Sequence, residues 1–555
     1  MHLLQRLVLL CALVVAASAA SQPQVKLDYA TYIGTPLAAG VDQFLGMRFA
    51  APPIGSLRWR SPADPLPEQA PVEAFTHGPL CYNVGGTFDP TSTSLSEDCL
   101  FIDVYAPSSN VSSSSQQAGK RNKLLPVWFF IQGGGYRSDS NANYNGTGVI
   151  VESGHNIVVV NFNYRVGGFG FLASERVARD GTLNVGLLDQ RKALLWVKKY
   201  ISKFGGDPNH VVIHGASAGG GSVTHHLTAY GGRNDGLFVG AIGESVFWPW
   251  EPPVAELEFQ FDIFADAAGC PASVNGTKEL GSQMACLRLQ NTSTLVAANQ
   301  LHPFPGRISN PDFYWTPTID GDFVRGELYD MFSKGKFIRV PLLIGDADDE
   351  GTNFAFNAST PSQVTSFMQD NYPKLTSSDL LRISRLYPLM PALPKHAAYF
   401  PSAALAYGEG TFTCPSNYIA ARMSGAEGEL KGVWNYRFSV VQADREAAGF
   451  GVSHTSEIPA IFGPAFVPGG LSTTFATTNA PIVPVVMNYF ISFVRDLDPN
   501  VRRLEGTPEW VMFDSAMGEG QRLKFVLNDT HVEGIDSGEK ERCAFWNEVG
   551  ARIEQ

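Results

Sequence analysis

Apolar residues in this chain come as short unbroken runs separated by longer stretches in which apolar and polar positions alternate. Residues 126–131, Pro126-Val127-Trp128-Phe129-Phe130-Ile131, and residues 157–160, Ile157-Val158-Val159-Val160, are near-continuous apolar runs. Strands covered on both faces read this way, because neither side of the pleat meets water. From 186 to 204, Leu187, Leu188, Ala193, Leu194, Trp196, Val197 and Ile201 recur at nearly helical intervals with lysines between them, which predicts a helix. That helix leads into a further apolar run, Val211-Val212-Ile213, and later strand candidates occupy 340–344 and 433–440. Strands alternating with helices predict an α/β fold, a large and mostly parallel sheet with helices on both faces and long insertions. Ser/Thr-rich stretches at 89–96 and 110–117 read as surface loops. No internal repeat interrupts the pattern.

The N-terminus departs from it. A basic start, Met1-His2-Leu3-Leu4-Gln5-Arg6, an apolar stretch over 7–17 and the small residues Ala17-Ser18-Ala19 predict a secretory signal over 1–19, followed by one domain over 20–555. No later run is long and apolar enough to predict a membrane span, and the polar C-terminus predicts no lipid-anchor tail. A net charge of -12 argues against a nucleic-acid partner, since a phosphate backbone calls for a basic face. Removing the signal leaves Cys81, Cys99, Cys270, Cys286, Cys414 and Cys543. Six cysteines in a secreted chain predict three disulfides, with fifteen possible connectivities. Two local loops and one long closure make the simplest pairing, Cys81 with Cys99, Cys270 with Cys286 and Cys414 with Cys543. No zinc-ligand spacing competes for them, and neither a metal nor a cofactor is expected. Sequons at Asn110, Asn145, Asn275, Asn291, Asn357 and Asn528 are glycosylation candidates.

Chemistry enters where the apolar runs end. After 211–213 comes His214-Gly215-Ala216-Ser217-Ala218-Gly219, a serine framed by glycines between a strand-like run and a helix-compatible one over 222–230. This is the pattern of a nucleophile elbow, in which small residues two places either side let backbones pass closely. After 126–131 comes Gln132-Gly133-Gly134-Gly135-Tyr136, whose amides are free to turn toward a substrate oxygen, an oxyanion loop. The run ending at Ile344 enters Gly345-Asp346-Ala347-Asp348-Asp349-Glu350-Gly351, four carboxylates from which a histidine-orienting acid is expected. A calcium-binding or simply solvated acidic turn is the competing reading. His454, in a glycine-bearing loop beyond 433–440, completes the order Ser, acid, His. His225 and His226 compete as bases, but they lie two turns along the helix leaving the elbow and point away from it.

With these parts assembled, the chain resembles the type-B carboxylesterase and lipase family, which includes the cholinesterases. Phe44-Leu45-Gly46-Met47-Arg48-Phe49-Ala50-Ala51-Pro52-Pro53-Ile54-Gly55 with Leu57-Arg58-Trp59, Glu97-Asp98-Cys99-Leu100-Phe101-Ile102-Asp103-Val104-Tyr105, Asn163-Tyr164-Arg165-Val166-Gly167, Phe204-Gly205-Gly206-Asp207-Pro208 and Cys543-Ala544-Phe545-Trp546-Asn547 carry the likeness over nearly the whole mature chain. The resemblance implies an α/β-hydrolase fold and a triad of Ser217, Glu350 and His454. It maps the oxyanion donors to Gly134, Gly135 and Ala218, and the cysteine pairs above agree with the family pattern. It also places Phe247-Trp248-Pro249-Trp250 at an acyl-pocket wall, with Trp248 and Trp250 as substrate-pocket candidates and core packing as the competing reading. Ser245 is a candidate for the hydrogen-bond network behind His454.

Departures narrow the substrate. Many relatives carry glutamate where this chain has Ala216, so a buried negative charge beside the triad is expected to be missing. No tryptophan stands between Cys81 and Cys99, where cholinesterases hold a quaternary ammonium. Only seventeen residues separate those cysteines, which implies an open esterase-like pocket and not a long lid. The expected activity is hydrolysis of a small neutral ester by a secreted enzyme through an acyl-enzyme intermediate. A lipase acting on long-chain acylglycerols and a catalytically silent adhesion module of the same fold are the alternatives.

Overall fold

The computed structural model describes residues 22–108, 123–139, 143–274, 277–278, 282–425, 432–467, 473–513 and 520–555. The expected signal over 1–19, the whole stretch 110–117 and the sequons at Asn110 and Asn275 lie outside them. Among the described residues one large sheet has eleven strands: β1 Thr35–Leu37, β2 Val41–Arg48, β3 Phe101–Pro107, β4 Leu125–Ile131, β5 Val158–Phe162, β6 Gly206–Ala216, β7 Gly240–Glu244, β8 Leu342–Ala347, β9 Val433–Phe438, β10 Gln521–Phe525 and β11 His531–Gly534. Their order is β11-β10-β9-β8-β7-β6-β4-β5-β3-β2-β1. From β10 through β5 every neighbouring pair is parallel, and both flanks are antiparallel.

The unbroken apolar runs form the buried centre because both faces are covered. Val127, Phe129 and Ile131 enter one core cluster while Trp128 and Phe130 enter the other, as alternation along a strand requires. The predicted helix spans α1 Val185–Tyr200 and tightens into a 3-10 turn, Ile201–Phe204. Strand β8 starts two residues later than expected and runs on through Asp346 and Ala347, so part of the acidic cluster belongs to the sheet. Strand β7 escaped the pattern, since Gly-Ala-Ile-Gly-Glu is short and broken by glycine.

Three disulfides join Cys81 to Cys99, Cys270 to Cys286 and Cys414 to Cys543, the pairing expected. Asn291, Asn357 and Asn528 are exposed and Asn145 is half-buried. Among the described residues no helix is long and apolar enough to cross a membrane.

Candidate active site

In a parallel sheet all the carboxyl ends open on one edge, where ligands bind in this class of fold. Ile131, Ala216, Glu244, Ala347 and Phe438 end β4, β6, β7, β8 and β9, so the segments that follow them gather at that edge. At the end of β6 the chain turns within a single residue: Ser217 has φ 59° and ψ -123°, and helix α2, Ala218–Gly232, starts directly after it. A side-chain-bearing residue held at positive φ stores about 1–3 kcal/mol of strain, which the surrounding bonds must offset. The Ser217 amide donates to the Glu244 carbonyl at 2.9 Å, and its own carbonyl accepts from the Gly221 amide at 2.9 Å. A Cβ at Gly215 would lie 2.1 Å from the Gly219 carbonyl oxygen, and one at Gly219 would lie 2.0 Å from that of Ile131. Both glycines are therefore required by backbone approach. Ala218 opens α2, and its amide is among those left without an intrahelical acceptor.

Glu350 follows β8 and is buried. Its Oε1 accepts from the Ser245 hydroxyl at 2.7 Å and from the Ala347 amide at 2.6 Å, while Oε2 is hydrogen-bonded to Nδ1 of His454. Among the described residues His454 Nε2 has no hydrogen-bond partner, the Ser217 hydroxyl included. The imidazole is packed between Phe354 and Phe412, at 5.0 and 4.4 Å between ring centres. Phe412 also meets Phe247 at 5.7 Å, and the Phe247 amide donates to the Ser217 carbonyl at 3.3 Å. This ties the histidine wall to the elbow.

The loop after β4 takes φ values of 113° at Gly134 and 63° at Gly135. A Cβ at Gly134 would fall 1.8 Å from the Ser138 carbonyl oxygen, and one at Gly135 would fall 1.9 Å from the Phe313 ring. The Gln132 carbonyl accepts from the Tyr164 hydroxyl at 3.0 Å, which anchors the loop's start.

Ser245, Glu350 and His454 are thus joined by hydrogen bonds, and Phe247 links them to Ser217. Trp248 and Trp250 are not brought to this group. The Trp248 indole donates to Thr224 at 3.0 Å and packs on Tyr329, and Trp250 donates to Glu554 at 2.7 Å and packs on Phe304. Alternation after β7 sends Phe247 toward the serine in their place. Phe313, Phe354 and Phe412 had no local signal as pocket residues. Phe412 sits in a π turn, Glu409–Thr413, a distortion that widens a helix locally and recurs at functional sites. His225 is engaged by Glu251 at 3.0 Å, and His226 by Gln190 at 3.1 Å, with burial holding His226 well below the usual imidazole range.

Position 216 itself carries no acid, but the neighbouring strand brings a carboxyl alongside it. Ala216 is in register with Glu244 on the next strand, whose side chain is fully buried. Glu457, three residues past His454, is buried as well. Burial pushes both carboxyls well above the usual range, with Glu350 adding like-charge repulsion. Among the described residues no group of three His, Cys, Asp or Glu side chains is placed to hold a metal ion.

The profile of the Carboxylesterase family matches residues 21–546. Among curated proteins the chain is similar to Lipase 1 of Geotrichum candidum, 28% identical over 97% of this chain and 99% of that protein. It is also similar to Secreted lipase 1 of Botryotinia fuckeliana (strain B05.10), 30% identical over 88% of this chain and 86% of that protein. Among solved structures it is similar to the crystal structure of Aspergillus niger EstA, with a TM-score of 0.90 and 49% identity, covering 96% of this chain and 99% of that one. The chain belongs to the carboxylesterase family, has the α/β-hydrolase fold and is a carboxylic ester hydrolase.

Proposed function

We propose that Ser217, His454 and Glu350 form the catalytic triad of a secreted hydrolase of small neutral esters, with Gly134, Gly135 and Ala218 as oxyanion donors. The observation that carries this reading is the bond from His454 Nδ1 to a Glu350 whose other oxygen already holds two donors. That arrangement keeps the imidazole proton on Nδ1 and leaves Nε2 as the base. The Ser217 hydroxyl oxygen attacks the ester carbonyl carbon as its proton passes to Nε2. The imidazolium returns the proton to the departing alkoxide oxygen, and the acyl group stays on Ser217. Water then attacks the acyl-enzyme, its proton goes to Nε2 and on to the Ser217 oxygen, and the carboxylic acid leaves. Each well-placed oxyanion amide contributes about 3–4 kcal/mol to the transition state.

Three disulfides and relatives named as secreted lipases support export, with the signal over 1–19 preceding one domain over 20–555. The phenylalanines around His454 offer an apolar wall to an acyl group and no charge to a cationic one. The names of the relatives support a second reading, a lipase of long-chain acylglycerols. Rates on dissolved short-chain esters against emulsified triglyceride separate the two, and the first reading expects the dissolved esters to be faster. A fluorophosphonate probe should label the wild type and leave Ser217→Ala unlabelled, folded and inactive. Turnover retained by Ser217→Ala would overturn the triad, and an unlabelled wild type would point to the silent adhesion module.

A further inference from the structure

Behind the elbow lies a set of buried polar groups that the acyl-transfer steps do not use. Along one rung of the sheet, Ala216 is in register with Glu244, Glu244 with Gly345, and Gly345 with Tyr436. Residues in register share a face, so the four side-chain positions point the same way. Gly345 has no side chain, and the Tyr436 ring fills its place: a Cβ there would lie 2.3 Å from the ring. The tyrosine therefore reaches across β8 toward Glu244, and its hydroxyl donates to Glu457 Oε1 at 2.7 Å. Through the Tyr436 hydroxyl the Glu457 carboxyl is held on the face of the sheet that Glu244 also takes, and each is almost wholly withdrawn from solvent.

The donors around the two carboxyls are too few. On β6, two residues before Ala216, His214 Nδ1 accepts from the Trp128 indole at 2.9 Å. An indole nitrogen only donates, so His214 is neutral and carries its proton on Nε2. That nitrogen lies 3.5 Å from Glu244 Oε1, too far for a strong bond. Among the described residues both oxygens of Glu244 and Oε2 of Glu457 are left without a hydrogen-bond partner. Two adjacent carboxylates in a dry interior repel strongly, and unpaired oxygens there are costly. One proton between them removes both problems, since the protonated acid donates to the ionised one. The remaining charge is spread over the pair, with the Tyr436 hydroxyl donating at the Glu457 end and the His214 Nε2 proton facing the Glu244 end at 3.5 Å.

We propose that Glu244 and Glu457 share one proton as a buried carboxyl–carboxylate pair, a positioning element whose single charge sets the field in which Glu350 and His454 work. The kinetic part rests on the reading of His454 as the base. The groups facing the pair are His214 on β6, Glu350 beyond β8 and Tyr436 on β9, with the ion pair of Asp346 and Arg437 on the opposite face of the sheet. Burial first, and then the charge of Glu244, raises Glu457. Replacing either acid by its amide keeps the shape, a donor and one negative charge, whereas replacing both removes the charge.

Infrared difference spectra of the whole enzyme at neutral pH, wild type minus variant, test the pair without reference to turnover. Glu244→Gln and Glu457→Gln are each expected to abolish the same protonated-carboxyl C=O band, and the double variant to abolish no further one. A band that survives either single variant and disappears only in the double, or no band lost in any variant, would overturn the proposal. In the pH profile of kcat/KM, the acid limb should stay in place in each single variant and move toward acid by about half a pH unit or more in the double. A double variant that is folded by thermal melt and shows an unmoved limb would refute the positioning role. Failure of the catalytic reading would be visible separately, as a wild-type profile with no acid limb while the infrared bands remain.

Discussion

Glu350→Gln tests the orientation of the histidine most directly, because the structure dictates which way the new amide must face. The position of Glu350 Oε1 is met by two donors, the Ser245 hydroxyl at 2.7 Å and the Ala347 amide at 2.6 Å. The Ala347 amide is fixed backbone, so a glutamine must place its carbonyl oxygen there and its NH2 toward His454 Nδ1. That nitrogen then has to accept, and the imidazole proton moves to Nε2, the atom that should take the Ser217 proton. A triad histidine held in the wrong tautomer loses about 10⁴-fold in kcat, equivalent to about 5 kcal/mol of barrier. The charge that stabilises the imidazolium is lost in the same step. The assay is kcat/KM on a dissolved short-chain ester, with fluorophosphonate titration of active sites and a thermal melt to show that the variant is folded. A folded Glu350→Gln enzyme within about tenfold of wild type would refute the argument.

Gly219→Ala should unfold the elbow or stop turnover, because its Cβ would lie 2.0 Å from the Ile131 carbonyl and neither the helix backbone at Gly219 nor the strand backbone at Ile131 can give way cheaply. An unchanged melting temperature together with wild-type kcat would contradict the close approach. Phe313→Ala removes a ring that packs on Phe247 at 4.6 Å and covers Gly135. The ratio of kcat/KM for a bulky acyl ester over an acetyl ester should rise about tenfold, and an unchanged ratio would place Phe313 outside the pocket. Burial holds the folded-state pKa of His214 down to about 3, whereas the unfolded chain binds that proton near pH 6.5. Its contribution to stability is therefore complete above pH 6.5 and falls away as the pH drops toward 3, by about 2 kcal/mol at pH 5. His214→Gln should flatten the fall in melting temperature between pH 7.5 and pH 5, and an equally steep fall would show that His214 titrates normally.

Much of the site was legible because its parts sit at the ends of strongly patterned strands. The apolar runs over 126–131 and 211–213 announced buried parallel strands, and a buried strand leaves little choice about where its following loop emerges. The glycines around Ser217 and in the loop after β4 were legible for a related reason, since only glycine permits the approaches of 2.0 Å and 1.9 Å that a Cβ would make there. Glu350 could be placed within the acidic cluster only by resemblance. Its neighbour Asp346 lies inside β8 and is paired with Arg437, a distinction that depends on which face of the strand each residue takes. Trp248 and Trp250 show the limit of local reading. Their sequence position beside Phe247 resembled a pocket wall, yet the turn after β7 directs both indoles into core hydrogen bonds.

The central strands, the elbow and its oxyanion loop were determined by the sequence itself, through local steric demands and runs of apolar residues that each act over a few neighbours, and the cysteine count and motif blocks pointed to the disulfide pairing and the family. The tertiary structure decided what surrounds that machinery. Phe313, Phe354 and Phe412 reach the site from separate segments. Glu244, Tyr436 and Glu457 come together because a missing side chain at Gly345 lets a ring cross one strand. Ala216 carries no acid, yet a buried carboxyl, Glu244, stands beside it on the adjacent strand, since register across a sheet joins residues that are distant in sequence and share no local pattern.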